Sequence, residues 1–226
     1  MLAEALAAGR EPQALYVTSA TLPALGTLEG AREERVFVIP PAAMRRLSDL
    51  ETPPGIVAVF PSVLTPLDAL LRTAEPVMLL AGLADPGNAG TLIRTAEIFG
   101  IRRVIFGSGG VEPHNPKVVR ATMGAVFRAS IASADPGDLV EAARRHGFTL
   151  VAAARGGIPL ADFRFPTKPL IAIGNERHGV ASWLPQCDLT VSIPHEGAGE
   201  SLNAAVAGGI VLYAFAQQLS RPLEAP

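Results

Sequence analysis

Apolar residues fall into two kinds of run along the chain. Short unbroken blocks, VMLLAGL (Val77–Leu83), RRVIFG (Arg102–Gly107), FTLVAAA (Phe148–Ala154), PLIAIG (Pro169–Gly174) and LTVSI (Leu189–Ile193), have the length of strands buried on both faces. Val126–Ile131 reads as a further strand. Between the blocks the apolar spacing turns helical. In Ala89–Phe99, Leu92, Ile93, Ala96 and Phe99 share one face and Gly100 ends the helix. Lys117–Met123, Asp138–His146 and a long final segment, Ser201–Leu219, read as helices too. Apolar strands alternating with helices predict an α/β fold, a parallel sheet with helices on both faces, over residues 77–226. Upstream, a helix, ALYVTS, RVFVIP, the helix PAAMRRLSDL and GIVAVF predict a small α/β domain over residues 1–62. Residues 61–76 carry three prolines, so residues 63–76 read as a linker holding a helical turn or two.

The final helix is apolar nearly all round and rich in small residues (Ala204, Ala205, Ala207, Gly208, Gly209, Ala214). It predicts burial in a core or subunit interface, since Ser201, Asn203 and Gln217 at its ends suit a membrane span poorly. A mean hydropathy of +0.31 over 226 residues supports a substantial core. The amino terminus lacks the pattern of a signal peptide, and the single cysteine, Cys187, permits no internal disulfide; a cytoplasmic location is the expectation.

A net charge of −2 does not advertise a nucleic-acid binder, but the charge is uneven. From Arg94 to Arg128 six basic residues face two acidic ones, so a phosphate-facing surface stands beside the plainer reading of a solvated one. Asparagine occurs only four times, at Asn88, Asn115, Asn175 and Asn203, each beside a turn, where it serves either as a cap or as a working side chain.

Three stretches stand at predicted strand ends, where open α/β sheets bind ligands: DPGNAGTLIRTAEIFG (Asp85–Gly100), LIAIGNERHGV (Leu170–Val180) and VSIPHEGAGESLNAAVAGGIVLYAF (Val191–Phe215). Arg94 lies roughly 200° round its helix from Leu92 and so points away from the core. A nucleotide-binding G-x-G-x-x-G is absent, FGSGGVEP (Phe106–Pro113) being a partial echo. Four scattered histidines and one cysteine show no metal-ligand spacing, so no metal is expected.

Together these stretches resemble the three signature motifs of the SpoU, or TrmH, family of RNA ribose 2′-O-methyltransferases, in order and at fitting separations over about Val77–Leu219. The segment before the linker is similar, more weakly, to the family's small ribosomal-protein-like substrate-binding domain, and by that likeness a version shortened by its opening helix and strand is the expectation. The resemblance implies a C-terminal trefoil knot, S-adenosylmethionine as cofactor, a homodimer whose site draws on both subunits, and an RNA substrate, ribosomal rather than transfer RNA. It implies catalytic roles for Arg94, Asn88, Glu176, Ser201 and Asn203. It places the cofactor against Ala153, Ala154, Gly174, Asn175, Ile193, Ser201 and Leu202, largely through backbone groups. RNA is expected at Arg94, Arg102, Arg103, Lys117 and Arg120. The alternatives are a transfer-RNA 2′-O-methyltransferase and a silent RNA-binding protein of the same fold; the latter would be expected to lose Arg94, Glu176 or Asn203, and all three are present.

The implied chemistry asks for positioning and for a group to handle the hydroxyl proton. The family assigns the arginine as base. A guanidinium holds its proton tightly, so Arg94 serves equally as a phosphate clamp that stabilises developing alkoxide charge. One departure is His195, where the third motif usually carries methionine: either a tolerated swap or an imidazole able to carry protons.

Overall fold

The structure, a computed structural model, describes residues 1–26, 33–62, 64–175, 179–180, 183–196 and 201–220. It divides into two compact units, 1–63 and 64–226.

The smaller unit contains α1 (Leu2–Ala7), β1 (Ala14–Val17), α2 (Leu22–Leu25), β2 (Val36–Val38), α3 (Pro41–Leu47) and β3 (Ile56–Val59). Its sheet has the order β2-β1-β3, parallel between β1 and β2 and antiparallel between β1 and β3. Leu15 and Val17 are buried, as period-two alternation requires, while Tyr16 turns the other way and stacks on Phe37 with ring centroids 5.5 Å apart.

The larger unit runs α4 (Leu67–Leu71), β4 (Val77–Ala81), α5 (Pro86–Ile98), β5 (Arg103–Gly107), α6 (Pro116–Ala121), β6 (Ser130–Ala134), α7 (Pro136–Arg145), β7 (Thr149–Pro159), β8 (Pro169–Gly174), β9 (Leu189–Ser192) and α8 (Ala204–Ser220). The strands form one six-stranded sheet, β6-β5-β4-β8-β7-β9, parallel at every pairing. All five residues of β4 are buried, because both faces are covered. Met78 and Leu80 pack with Leu92, Ile93 and Ala96 of α5 and Val211, Leu212 and Phe215 of α8. Val77, Leu79 and Ala81 pack on the other side with Leu70 and Leu71 of α4 and Leu139 and Ala143 of α7. Each of the larger side chains among these contributes roughly 1.5–3 kcal/mol on burial.

The structure departs from the sequence reading in two places and refines it in two others. Residues 67–71, read as part of a linker, form α4, whose Leu70 and Leu71 join the core of the larger unit. The strand expected at Val126–Ile131 is a 3-10 turn at Ala125–Arg128 followed by β6; Met123 (φ 51) and Gly124 (φ 99) turn the chain first. The strand beginning at Phe148 does not stop at Ala154 but continues through an irregularity to Pro159. Lastly, α8 is buried on one face only. Ala204, Gly208, Val211, Leu212 and Phe215 point inward, while Leu202 just before the helix, then Val206, Ile210 and Tyr213, form an exposed stripe at helical spacing. Gly208 lets α8 lie against α5 and β8: a Cβ there would collide with Leu92 Cδ2 and come within 3.2 Å of Ile173 Cγ2.

Candidate active site

Parallel pairing puts the carboxyl ends of β4, β8, β7 and β9 on one edge of the sheet. After β4, the chain turns at Asp85 into α5. Pro86 suits the first helical position, and Asp85 Oδ1 accepts the backbone N–H of Asn88 (2.6 Å), so Asp85 is the helix cap. The Asp-Pro pair signalled this cap in the sequence, where only Asn88 had been singled out.

After β9, the chain reaches α8 through Ser201, Leu202 and Asn203, all exposed. Asn203 Oδ1 accepts the N–H groups of Ala205 (2.9 Å) and Val206 (3.2 Å), capping α8. Its Nδ2 donates to Asn88 Oδ1 (3.1 Å) across 115 positions of sequence. One side chain thus ties the starts of α5 and α8 together. Two helix amino termini meeting at one place concentrate partial positive charge and favour an anion or a developing oxyanion nearby.

After β8, Asn175 exchanges backbone hydrogen bonds with Gly179 (2.9 and 2.7 Å), folding the chain back over Gly174. A Cβ on Gly174 would overlap the main chain of Gly179 and Val180, so only glycine fits. Glu176 lies outside the described residues. Within β7, Ala153 and Ala154 stand half-buried where the pairing with β8 ends, and Ile193, half-buried, stands just past β9. His195 is exposed, with Nδ1 3.2 Å from the carbonyl of Ile193, which places it beside this segment.

The basic residues separate into two groups. Arg94 is exposed on α5, six residues from Asn88 and so about 9 Å along the axis. Lys117 is exposed and Arg120 half-buried on α6, whose start Asn115 caps by accepting from Lys117 N–H (2.9 Å). This helix packs on α5 at Gly90, where a Cβ would strike Ala121. Arg102 and Arg103 sit at the opposite, amino end of β5. Arg103 pairs with Glu75 (3.0 Å) with its side chain 14% exposed, and Arg102 lies 3.9 Å from Glu97. Their proximity in sequence to Arg94 does not survive folding, because the return from α5 to β5 carries the chain to the far edge of the sheet.

A surface cavity of about 280 Å³ opens at the ends of β5 and β6, lined by Gly107–Pro113, Ser133, Asp135 and Asp138 among others. It holds none of the residues expected to bind the cofactor.

The carboxyl edge of this parallel α/β domain thus carries two helix starts bridged by a pair of asparagines. The comparisons with known proteins give its class. Residues 75–213 match the model of the SpoU rRNA Methylase family, and the chain belongs to that family. It is 35% identical over 203 residues to the 23S rRNA (uridine(2479)-2′-O)-methyltransferase of Streptomyces viridochromogenes, covering 84% of this chain and 70% of that one. It is 31% identical over 179 residues to the 23S rRNA (guanosine(2553)-2′-O)-methyltransferase RlmP of Bacillus subtilis, covering 78% and 71%. Among solved structures it resembles the SpoU methyltransferase AviRb of S. viridochromogenes in complex with AdoMet, with TM-score 0.82 and 30% identity over 98% of this chain and 88% of that one.

Proposed function

We propose that this protein transfers a methyl group from S-adenosylmethionine to a ribose 2′-hydroxyl of RNA, with ribosomal RNA as its substrate rather than transfer RNA. The observation that carries this reading is the Asn203–Asn88 hydrogen bond, which joins the first and third motifs. The preference for ribosomal RNA is supported by the two 23S relatives, whose matches are longer than the larger unit alone and so extend into the smaller one.

The residues at the edge fit the cofactor. Leu202 is 41% exposed and Ile193 is half-buried, which offers apolar contact. Past Ala153 the β7–β9 ladder is interrupted, which leaves main-chain groups outside it for the edge of an adenine. Ala153, Ala154, Gly174, Asn175, Ile193, Ser201 and Leu202 are the residues that would hold it. When bound, it supplies a methyl group on a sulfonium, open to in-line attack.

The chain's own residues do the rest. Asn88 and Asn203 hold the two helix starts in register. Ser201 and Glu176 take catalytic roles, on their likeness to the family's motif residues. Arg94 clamps the phosphate beside the target ribose and stabilises negative charge on its 2′-oxygen. Lys117 and Arg120 extend the phosphate surface. A homodimer is supported by the exposed stripe of Leu202, Val206, Ile210 and Tyr213, which a second copy would cover. Arg94, about 9 Å along α5 from Asn88, then serves a site shared between subunits. The trefoil knot is supported by β8 lying between β4 and β7 and by the fold-back over Gly174. The smaller unit serves to bind substrate, its Tyr16–Phe37 stack with Phe37 48% exposed offering a ring face to a base. Its place of action is the cytoplasm, with the RNA; no helix among the described residues is long and apolar enough to cross a membrane.

The test is incubation with labelled S-adenosylmethionine and 23S ribosomal RNA, then nuclease digestion. Label on a ribose is expected, and mapping it identifies the nucleotide. Label on a base, or no cofactor binding by calorimetry to a folded protein, overturns the reading.

A further inference from the structure

The strand β7 does not end where its pairing with β8 ends. Ala153 is its last residue on that side, opposite Ile173. On the other side both Ala153 and Ile158 pair with Val191, so residues 154–157 are looped out against β9. Bulges beside active sites re-aim a side chain. This one is firmly built. Gly156 takes φ +76, and a Cβ on Gly157 would strike the carbonyl of Thr190. Ser192 Oγ donates to Gly157 O (2.8 Å), and Leu160 N–H donates to Ser192 O (2.8 Å).

The side chain at the outer tip is Arg155, which is exposed. Carboxylates hold Arg35, Arg103, Arg128 and Arg145 elsewhere in the chain. The Arg155 side chain makes no hydrogen bond or ion pair among the described residues. A fixed backbone thus presents an unpaired guanidinium at the carboxyl edge. The strand order puts it two strands from β4, about 10 Å from the end that leads to Asn88.

The geometry points to Arg155 as a phosphate-binding residue that positions the RNA beside its target nucleotide. This rests on the function proposed above. The guanidinium fork matches a phosphate bidentately. The cofactor's expected contacts at this edge are main-chain and apolar, and they lie deeper: Gly174 is buried and Ala153 and Ala154 are half-buried, while Arg155 stands outside them. That leaves the cation for the polyanion above. The sequence signal was an arginine followed by two glycines at a strand end, and only the neighbouring alanines had been singled out.

The test uses the full chain and in-vitro transcribed 23S ribosomal RNA. Affinity is measured over a range of salt, together with steady-state methyl transfer and S-adenosylmethionine calorimetry. For Arg155→Ala, RNA affinity should fall roughly 3–10-fold at low salt, and the slope of log K against log salt should shrink by about one charge. KM for RNA should rise, with kcat and cofactor affinity unchanged. Arg155→Lys should keep the salt slope, and Arg155→Glu should bind more weakly than Arg155→Ala. An unchanged slope and RNA affinity in Arg155→Ala, with wild type active, overturns this assignment alone. So does a loss of cofactor affinity with RNA binding intact, which would make Arg155 a cofactor contact. A wild-type protein that neither binds nor methylates RNA overturns the functional reading along with it.

Discussion

Asn203 performs two separable tasks, and substitution can divide them. Its Oδ1 caps α8 through Ala205 and Val206, and its Nδ2 donates to Asn88. Asn203→Ala removes both. Loss of an N-cap costs about 0.5–2 kcal/mol. The exposed hydrogen bond to Asn88 adds on the order of 0.5 kcal/mol. A total near 1.5 kcal/mol lowers Tm by roughly 3–6 °C in a chain of this size. Asn203→Asp keeps the capping oxygen and adds negative charge at a helix start, which is favourable there. It also turns the donor facing Asn88 into an acceptor. Asn203→Asp should therefore hold the wild-type Tm to within about 1 °C, while methyl transfer drops at least roughly 10²-fold, the scale for a lost active-site group. Scanning calorimetry and a labelled-methyl assay on the same preparations check both numbers. A wild-type Tm for Asn203→Ala would refute the capping argument. Near wild-type transfer by Asn203→Asp would show that the Asn88 bridge plays no part in the reaction.

Four further outcomes are expected. Arg94→Ala should leave Tm and cofactor affinity unchanged, because Arg94 is exposed, yet lower methyl transfer by roughly 10²-fold or more; Arg94→Lys should rescue little, since it keeps charge without the planar fork. Gly208→Val should lower stability by about 1–3 kcal/mol in urea titration, since its side chain would enter Leu92 and Ile173. Asp68 accepts hydrogen bonds from His146 (3.0 Å) and Arg145 (2.8 Å), and these partners hold its carboxyl below the usual value. Its contribution is present above the unfolded carboxylate value and is lost as pH falls through the lowered folded value; Asp68→Asn should flatten that part of the acid unfolding curve. Burial, with Asp188 close by, pushes the Cys187 thiol up to about 11, so its reaction with iodoacetamide at pH 8 should be slower than that of glutathione and should accelerate as pH rises toward 11.

The strand blocks and the helix faces could be read along the chain because each is a local property. A five-residue apolar block such as Val77–Ala81 is buried wherever a parallel sheet with two covered faces forms. Arg94 was assigned outward from helical spacing alone, and it is exposed. The turn chemistry of Asp85-Pro86 and Asn115-Pro116 names two helix starts without reference to anything distant.

Other features needed the tertiary structure because they depend on which elements become neighbours. Asn203 and Asn88 meet only because the chain leaving β9 returns to the helix leaving β4. Arg102 and Arg103 carry the same charge as Arg94 and lie close to it in sequence, but a helix about 20 Å long separates the two edges of the sheet. Leu70 and Leu71 sit among prolines that mark a linker, until β6 and α7 supply the surface that buries them. The β7 bulge is invisible as a pattern, since Ala153 and Ile158 share one partner only once β9 is in place. Periodicity records which face of an element avoids water; the identity of what covers that face is a property of the assembled sheet.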